Sequence, residues 1–247
     1  MSKYFTHLIV SLMTALLCAT AGSAAEFEVA EGTVIELGVK AKLLGTFDDE
    51  GNSFALDDAR IKVGASKGIF SGAIQLDYSD SEVFLKDGYV VGAFSDLANV
   101  KAGRFKMPTD RNTQMSSYSS VTWLKNKISS KWESPQQGNR GDGVAVSGSV
   151  TPTAGLDAAY NVGVFDGNDG GAIFAVRGSA SYDKAPGLNV GLTFQGQNDA
   201  FVGGQDFIGF GIDAQYALSI KEGDLLVDAG FNTYDLDGAA YTPGTGL

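Results

Sequence analysis

Side chains that alternate apolar and polar with a period of two, aromatic residues set eight apart on the apolar face, and Gly/Asn/Asp-rich turns between these stretches predict an all-β fold, a transmembrane antiparallel β-barrel. Composition agrees. Of 247 residues 33 are Gly and only 5 are Pro, and mean hydropathy is +0.00. Beyond the first segment no stretch approaches the roughly 20 apolar residues that a membrane-spanning helix needs. Any crossing of a bilayer is therefore made by strands.

The first segment reads as a leader. Lys3 and His7 precede the apolar run Leu8–Leu17, small residues follow from Ala19 to Ala25, and Ser23 and Ala25 stand at the −3 and −1 positions before Glu26. A basic start, a short apolar core and small residues at the cut are the marks of a secretory signal peptide, residues 1–25, removed on export. The apolar run is too short for a membrane anchor. Leu17 stands where a lipoprotein signal would place a small residue before Cys18. Cleavage removes Cys18 and His7, the only Cys and the only His. A mature chain with neither residue cannot build a thiolate or imidazole metal site, a Ser-His-Asp triad or a Cys nucleophile. Its carboxylates mostly fall in turns such as Asp166-Gly-Asn-Asp169. There is no phosphate-cradling loop, zinc spacing or nucleic-acid motif. The chain is read as a non-enzyme that needs no cofactor and binds no nucleic acid.

Eleven strands follow, at 33–47, 55–66, 69–79, 83–94, 98–106, 142–150, 155–165, 171–183, 187–197, 206–219 and 224–235. In the first, Ile35, Leu37, Val39, Ala41 and Leu43 oppose Glu36, Gly38, Lys40 and Lys42. In the third, the apolar face reads Phe70, Gly72, Ile74, Leu76, Tyr78. The fourth has no clear parity. In the seventh, Leu156, Ala158, Tyr160, Val162 and Val164 share a face, and the eighth presents Phe174, Val176, Gly178, Ala180 and Tyr182. The ninth and tenth continue with Leu188, Val190, Leu192, Phe194 and with Ile208, Phe210, Ile212, Ala214, Tyr216. Aromatic pairs such as Phe70/Tyr78 and Phe174/Tyr182 bracket small or aliphatic residues. Eight residues at about 3.3 Å, tilted about 40°, span roughly 20 Å, close to the lipid-facing band between two aromatic girdles. The opposite faces are polar or glycine, as a water-filled lumen requires.

Connection lengths alternate as well. Short turns occur at Ser66-Lys-Gly, Thr151–Gly155, Asp183–Gly187 and Lys221–Asp224; longer ones, at Asp48–Phe54, Asp166–Gly171 and Asp199–Asp206, fall on the other side. The longest, residues 107–141, is the third on that side, taken as extracellular. So long a connection in a compact domain is usually functional, and this one is expected to fold into the pore and narrow it.

Ala59-Arg-Ile-Lys-Val-Gly64, Phe84-Leu-Lys-Asp-Gly-Tyr89 and Ala102-Gly-Arg-Phe-Lys-Met-Pro108 resemble the phosphate-selective porins O and P family, as do Arg140–Val144 and Asn161–Gly167. Gly103, Phe105, Lys106 and Pro108, just before the long loop, carry the most specific likeness, which covers residues of about 55 to 170. It implies a sixteen-stranded outer-membrane channel of a Gram-negative bacterium, commonly a homotrimer, passing small anions or other solutes. Arg60 and Lys106 match the family's recurring basic positions. Eleven strands would end on the opposite side from where they began, and Asp235–Leu247 reads as loop, so the chain is taken as a C-terminally truncated or short member.

Charge refines the site. Loss of Lys3 moves the net charge from −11 to −12, against the basic lumen of a dedicated phosphate channel. Yet residues 104–140 hold Arg104, Lys106, Arg111, Lys125, Lys127, Lys131 and Arg140 against only Asp110 and Glu133. Arg60, Lys62, Arg104, Lys106, Arg111, Lys125, Lys127 and Lys131 are therefore the candidate pore-lining, anion-binding residues, with Arg104 and Lys106 extending the ladder begun by Arg60 and Lys62. The function expected is passive diffusion of small solutes with weak to moderate anion preference, in contact with outer-membrane lipid and lipopolysaccharide. The alternative is a secreted β-rich adhesion or binding protein without channel activity.

Overall fold

Backbone pairing follows the alternation. In the computed structural model, which describes residues 20–48, 51–79, 82–109, 111–114, 139–167, 171–198, 207–220 and 223–236, twelve antiparallel strands succeed one another in a single sheet. They are β1 (Thr20–Ala30), β2 (Thr33–Asp48), β3 (Gly51–Lys67), β4 (Phe70–Ser79), β5 (Glu82–Ser95), β6 (Ala98–Lys106), β7 (Arg140–Thr153), β8 (Leu156–Asp166), β9 (Ala172–Tyr182), β10 (Leu188–Asn198), β11 (Phe207–Ile220) and β12 (Gly223–Leu236). Among the described residues a short helix, α1 (Arg111–Gln114), follows β6. Sheet order equals sequence order, each strand pairing with its neighbours in the chain. The chain divides into two compact units, Met1–Gly88 and Tyr89–Leu247.

Three expectations are corrected here. The described residues hold twelve strands, not eleven, because β1 pairs with β2 through Phe27↔Ile35 and Glu28↔Val34. It escaped notice because only five of its residues lie beyond the expected cleavage point. Those five, Glu26–Ala30, are too few to display a period. Secondly, Asp48–Phe54 is largely ladder, paired as far as Asp48↔Gly51. Its polar residues resemble a loop, but backbone hydrogen bonds extend a hairpin regardless of side-chain polarity. Thirdly, the long connection is not wholly irregular, since it contains α1 and its last residues enter β7.

In the first unit Leu37, Val39, Ile61, Val63, Ile74 and Leu76 are exposed, while Gly38, Lys40, Gly64, Gln75 and Asp77 on the other face are buried. One bulge changes which residues carry this pattern. Lys42 pairs with Asp58 but Leu43 pairs with Leu56, so one extra residue of β3 switches its exposed parity from Phe54 and Leu56 to Ile61 and Val63.

The second unit has the same sidedness. Val162, Val164, Phe174, Val176, Phe194, Phe210 and Ile212 are exposed, and Leu192 is 50% exposed; beside it Thr193, Gln195, Gln197 and Asp213 are buried, Gln195 completely. A two-sided sheet in a water-soluble domain has the opposite arrangement.

β5 carries no single alternation. Lys86 reaches the buried Asp77 of β4, whereas Tyr89 packs edge-on against the buried Phe105 of β6, at 6.4 Å and 75°. Residues 86 to 89 are all half-buried, so the strand shows no alternation there. That is why its facing was illegible in the sequence.

Candidate functional site

The buried polar face is built in cross-strand rows. In the first unit Lys40, Arg60 and Asp77 occupy opposed positions on β2, β3 and β4. Arg60 Nε donates to Asp77 Oδ1 at 3.1 Å, and Lys86 Nζ donates to Oδ2 of the same carboxylate. Lys40 is only 4% exposed. Nearer the start of β2, Lys62 Nζ lies 3.0 Å from both oxygens of Glu36. Arg60 and Lys62 thus stand on the polar face as expected, but each engages a carboxylate. Opposite charges on adjacent strands are the arrangement that stabilises a ladder.

In the second unit Arg177 is opposed to Thr193, and Asp213 lies diagonally, two residues from Thr193's own partner on β11. Arg177 Nη1 and Nη2 donate to Asp213 Oδ2 and Oδ1 at 2.5 and 2.8 Å, and Nη1 also reaches Thr193 Oγ1 at 3.0 Å. Gly191 pairs with Asp213 and leaves the space through which the two side chains meet: a Cβ there would stand 2.7 Å from Asp213 Oδ1 and closer still to the Arg177 guanidinium. Gly191→Ala is expected to lower stability by about 1–3 kcal/mol through overpacking, measured by urea unfolding. A neutral result would mean the pair can move aside without loss.

The stem of the long connection lies on this same face. Phe105, Met107, Ala145, Phe165, Ile173 and Ala175 form a buried apolar cluster with Tyr89 against it. Phe105 meets Phe165 edge-on at 5.2 Å, and Lys101 Nζ sits 3.6 Å from the Tyr89 ring centre, a favourable cation–π distance. The cluster seats Met107, whose N–H donates to Asn139 O at 3.0 Å. Thr109 Oγ1 donates to Asn139 Oδ1 at 2.9 Å. Asn139 has φ of 61°, a left-handed turn that asparagine tolerates better than most residues. Further on, Arg177 Nη1 donates to Thr109 O at 3.3 Å, and Arg111 Nη1 to Asn189 Oδ1 at 2.9 Å. The connection therefore leaves β6 by running along the buried polar face of β9 and β10.

The other predicted residues fall differently. Arg104 does not line the polar face. It pairs with Asp142 at 3.4 Å, on the side of β6 and β7 that carries the exposed Val144 and Val146, and Asp142 itself is 63% exposed in its side chain. Alternation puts Phe105 inward, so Arg104 beside it on the strand turns outward, where its partner Asp142 is largely exposed. Lys106 Nζ donates to Gln114 O at 3.4 Å, and Gln114 Nε2 donates to Met107 O, so Lys106 holds α1 to the stem. The expected ladder through Arg104 and Lys106 does not form. Arg111 is with the site. Lys125, Lys127 and Lys131, with Trp123 and Trp132, lie outside the described residues.

Reading the sequence missed Lys40, Asp77, Lys86, Arg177 and Asp213. A signal was present for one pair: Arg177 is the single base between Gly141 and Tyr182 in an acidic half of the chain, and a lone buried guanidinium requires a carboxylate. Which carboxylate is a matter of register. No protein-family model matches the chain, and no curated protein matches it in sequence.

Proposed function

We propose that the chain is the wall of an outer-membrane porin through which small solutes and ions diffuse passively, with a weak preference for anions. The reading is carried by the inverted sidedness of the sheet: apolar side chains on the exposed face, charged and amide side chains on the buried one. Large contiguous apolar surface is rare on soluble monomers, whereas a lipid-facing wall needs it along every strand. In lipid each unsatisfied backbone group costs several kcal/mol, so every strand edge of such a wall needs a strand partner. The resemblance of residues of about 55 to 170 to phosphate-selective porins supports the same reading, including a homotrimer in lipopolysaccharide-containing membrane.

The paired charges lower the selectivity to expect. Lys62 faces Glu36, Arg60 faces Asp77 and Arg177 faces Asp213, so a permeating anion meets cations already largely neutralised. A weak preference fits this wall; a tight phosphate site does not. The exported protein should fractionate with the outer membrane, shift in gel mobility on heating in detergent, and give an anion-directed reversal potential across a salt gradient in planar bilayers. Replacing Lys125, Lys127 and Lys131 together with Glu should move that potential toward cations by focusing negative charge in the pore. An unchanged potential would place their segment outside the pore. Recovery as a detergent-free soluble protein would leave a secreted β-rich binding protein as the better reading.

A further inference from the structure

The polar face of β7 to β11 offers a solute hydroxyls and amides. Thr193, Gln195 and Gln197 are buried on it, and Ser147, Asn161, Ser179, Ser181, Asn189 and Gln215 are half-buried beside them. Three cross-strand rows hold these six. Ser147 opposes Asn161, which opposes Arg177; Ser179 opposes Gly191, which opposes Asp213; Ser181 opposes Asn189, which opposes Gln215. The charges in their midst, Arg177 and Asp213, are bonded to each other through two nitrogens and both carboxylate oxygens. Arg111 donates to the Asn189 amide, and the exposed Asp157, opposite Ser181, accepts from Thr151 Oγ1. Asn161 Oδ1 is buried and has no hydrogen-bond partner among the described residues. An acceptor left so is costly, and a hydroxyl from solute or water supplies the missing donor.

We infer that this face is a hydrogen-bonding track for small neutral polyhydroxylated solutes, sugars and polyols, which pass along it from row to row. The inference rests on the porin reading and deepens it by naming a solute class. Serine hydroxyls and the amides of Asn and Gln each donate and accept, as a solute hydroxyl does, so a water lost by the solute is replaced by a wall partner. Neighbouring strands lie about 4.8 Å apart and successive rows about 7 Å apart along the strands. A solute with several hydroxyls therefore reaches more than one of these groups at once. An ion on the same path meets Arg177 and Asp213 already occupied by each other.

The test is block of ion current by sucrose on the full-length protein in planar bilayers, with polyethylene glycol of matched mass as the control. Sucrose should lower the conductance saturably. Polyethylene glycol, rich in ether acceptors but poor in donors, should not do so at the same concentration. Asn161→Leu combined with Gln215→Leu should raise the half-blocking sucrose concentration about tenfold, as the loss of two modest hydrogen bonds would, while the channel still conducts in plain salt. If that double variant does not fold, Ser181→Ala carries the test, with a rise of about threefold. Wild-type protein that conducts but is blocked no more by sucrose than by polyethylene glycol overturns the inference and leaves the porin reading standing. A conducting double variant, or in its place a conducting Ser181→Ala protein, with wild-type block also overturns it. Wild-type protein that never conducts removes the porin reading, and this inference with it.

Discussion

Asp213→Ala should destabilise the protein by about 3–5 kcal/mol, the usual cost of removing one partner of a buried ion pair. The Arg177 and Asp213 side chains are only 12% and 10% exposed. Taking both from water is expensive, and their bidentate contact offsets that expense only while both are present. Removing the carboxylate leaves a guanidinium on the buried face with Thr193 Oγ1 and Thr109 O as acceptors, neither of which is charged. The loss should also loosen the stem of the long connection, because the same guanidinium holds the Thr109 carbonyl. Replacing both partners, Arg177→Met with Asp213→Leu, should restore most of the stability, since an apolar pair of similar volume carries no desolvation cost. Urea unfolding of detergent-folded protein reads both outcomes. A single-mutant loss below about 1 kcal/mol, the range of exposed pairs, would show that water reaches the pair freely.

Leu192→Arg should cost about 2–4 kcal/mol, as a basic residue does at the midplane of a lipid-facing barrel wall. Leu192 lies in the middle of β10, 50% exposed, between Val190 and Phe194 on the same face. The direction is informative because ordinary surface substitutions away from special features stay within about ±0.5 kcal/mol. In water an exposed Leu→Arg change is nearly free and often raises solubility. In hydrocarbon the charge must snorkel or thin the bilayer. Comparison of refolding into lipid vesicles with stability in the absence of lipid separates the two settings. An Arg variant that folds into vesicles as readily as the parent would place this face in water and sink the porin reading.

Strand type and facing were readable from residues alone over most of the chain. Alternation in Leu156–Val164, in Leu188–Phe194 and in Ile208–Tyr216 determined which side chains share a face, because successive Cβ atoms of a strand point to opposite sides. Position in the order was readable too: a meander pairs neighbours in sequence, so β6 to β12 needed no long-range information beyond the long connection between β6 and β7. Alternation failed where a bulge intervened, at Asp57 in β3, which reverses facing while preserving composition, and it is absent over Lys86–Tyr89 in β5, where all four residues are half-buried.

The charged site was not legible in this way. Arg60 and Lys62 could be placed on the polar face, but not beside Asp77 and Glu36. Partners across strands depend on register, and a register is the sum of every turn length and bulge between them. Arg104 shows the same limit: its neighbour Phe105 has the larger gain from burial, so the apolar cluster with Phe165 and Ile173 fixes the strand's facing and the charge follows outward. Composition and period thus determined by themselves that this protein is a two-faced β-sheet with an apolar exposed side. Only the tertiary structure decided that its cations stand paired and that the long connection begins along the polar face, because pairing and packing are properties of residues far apart in the chain.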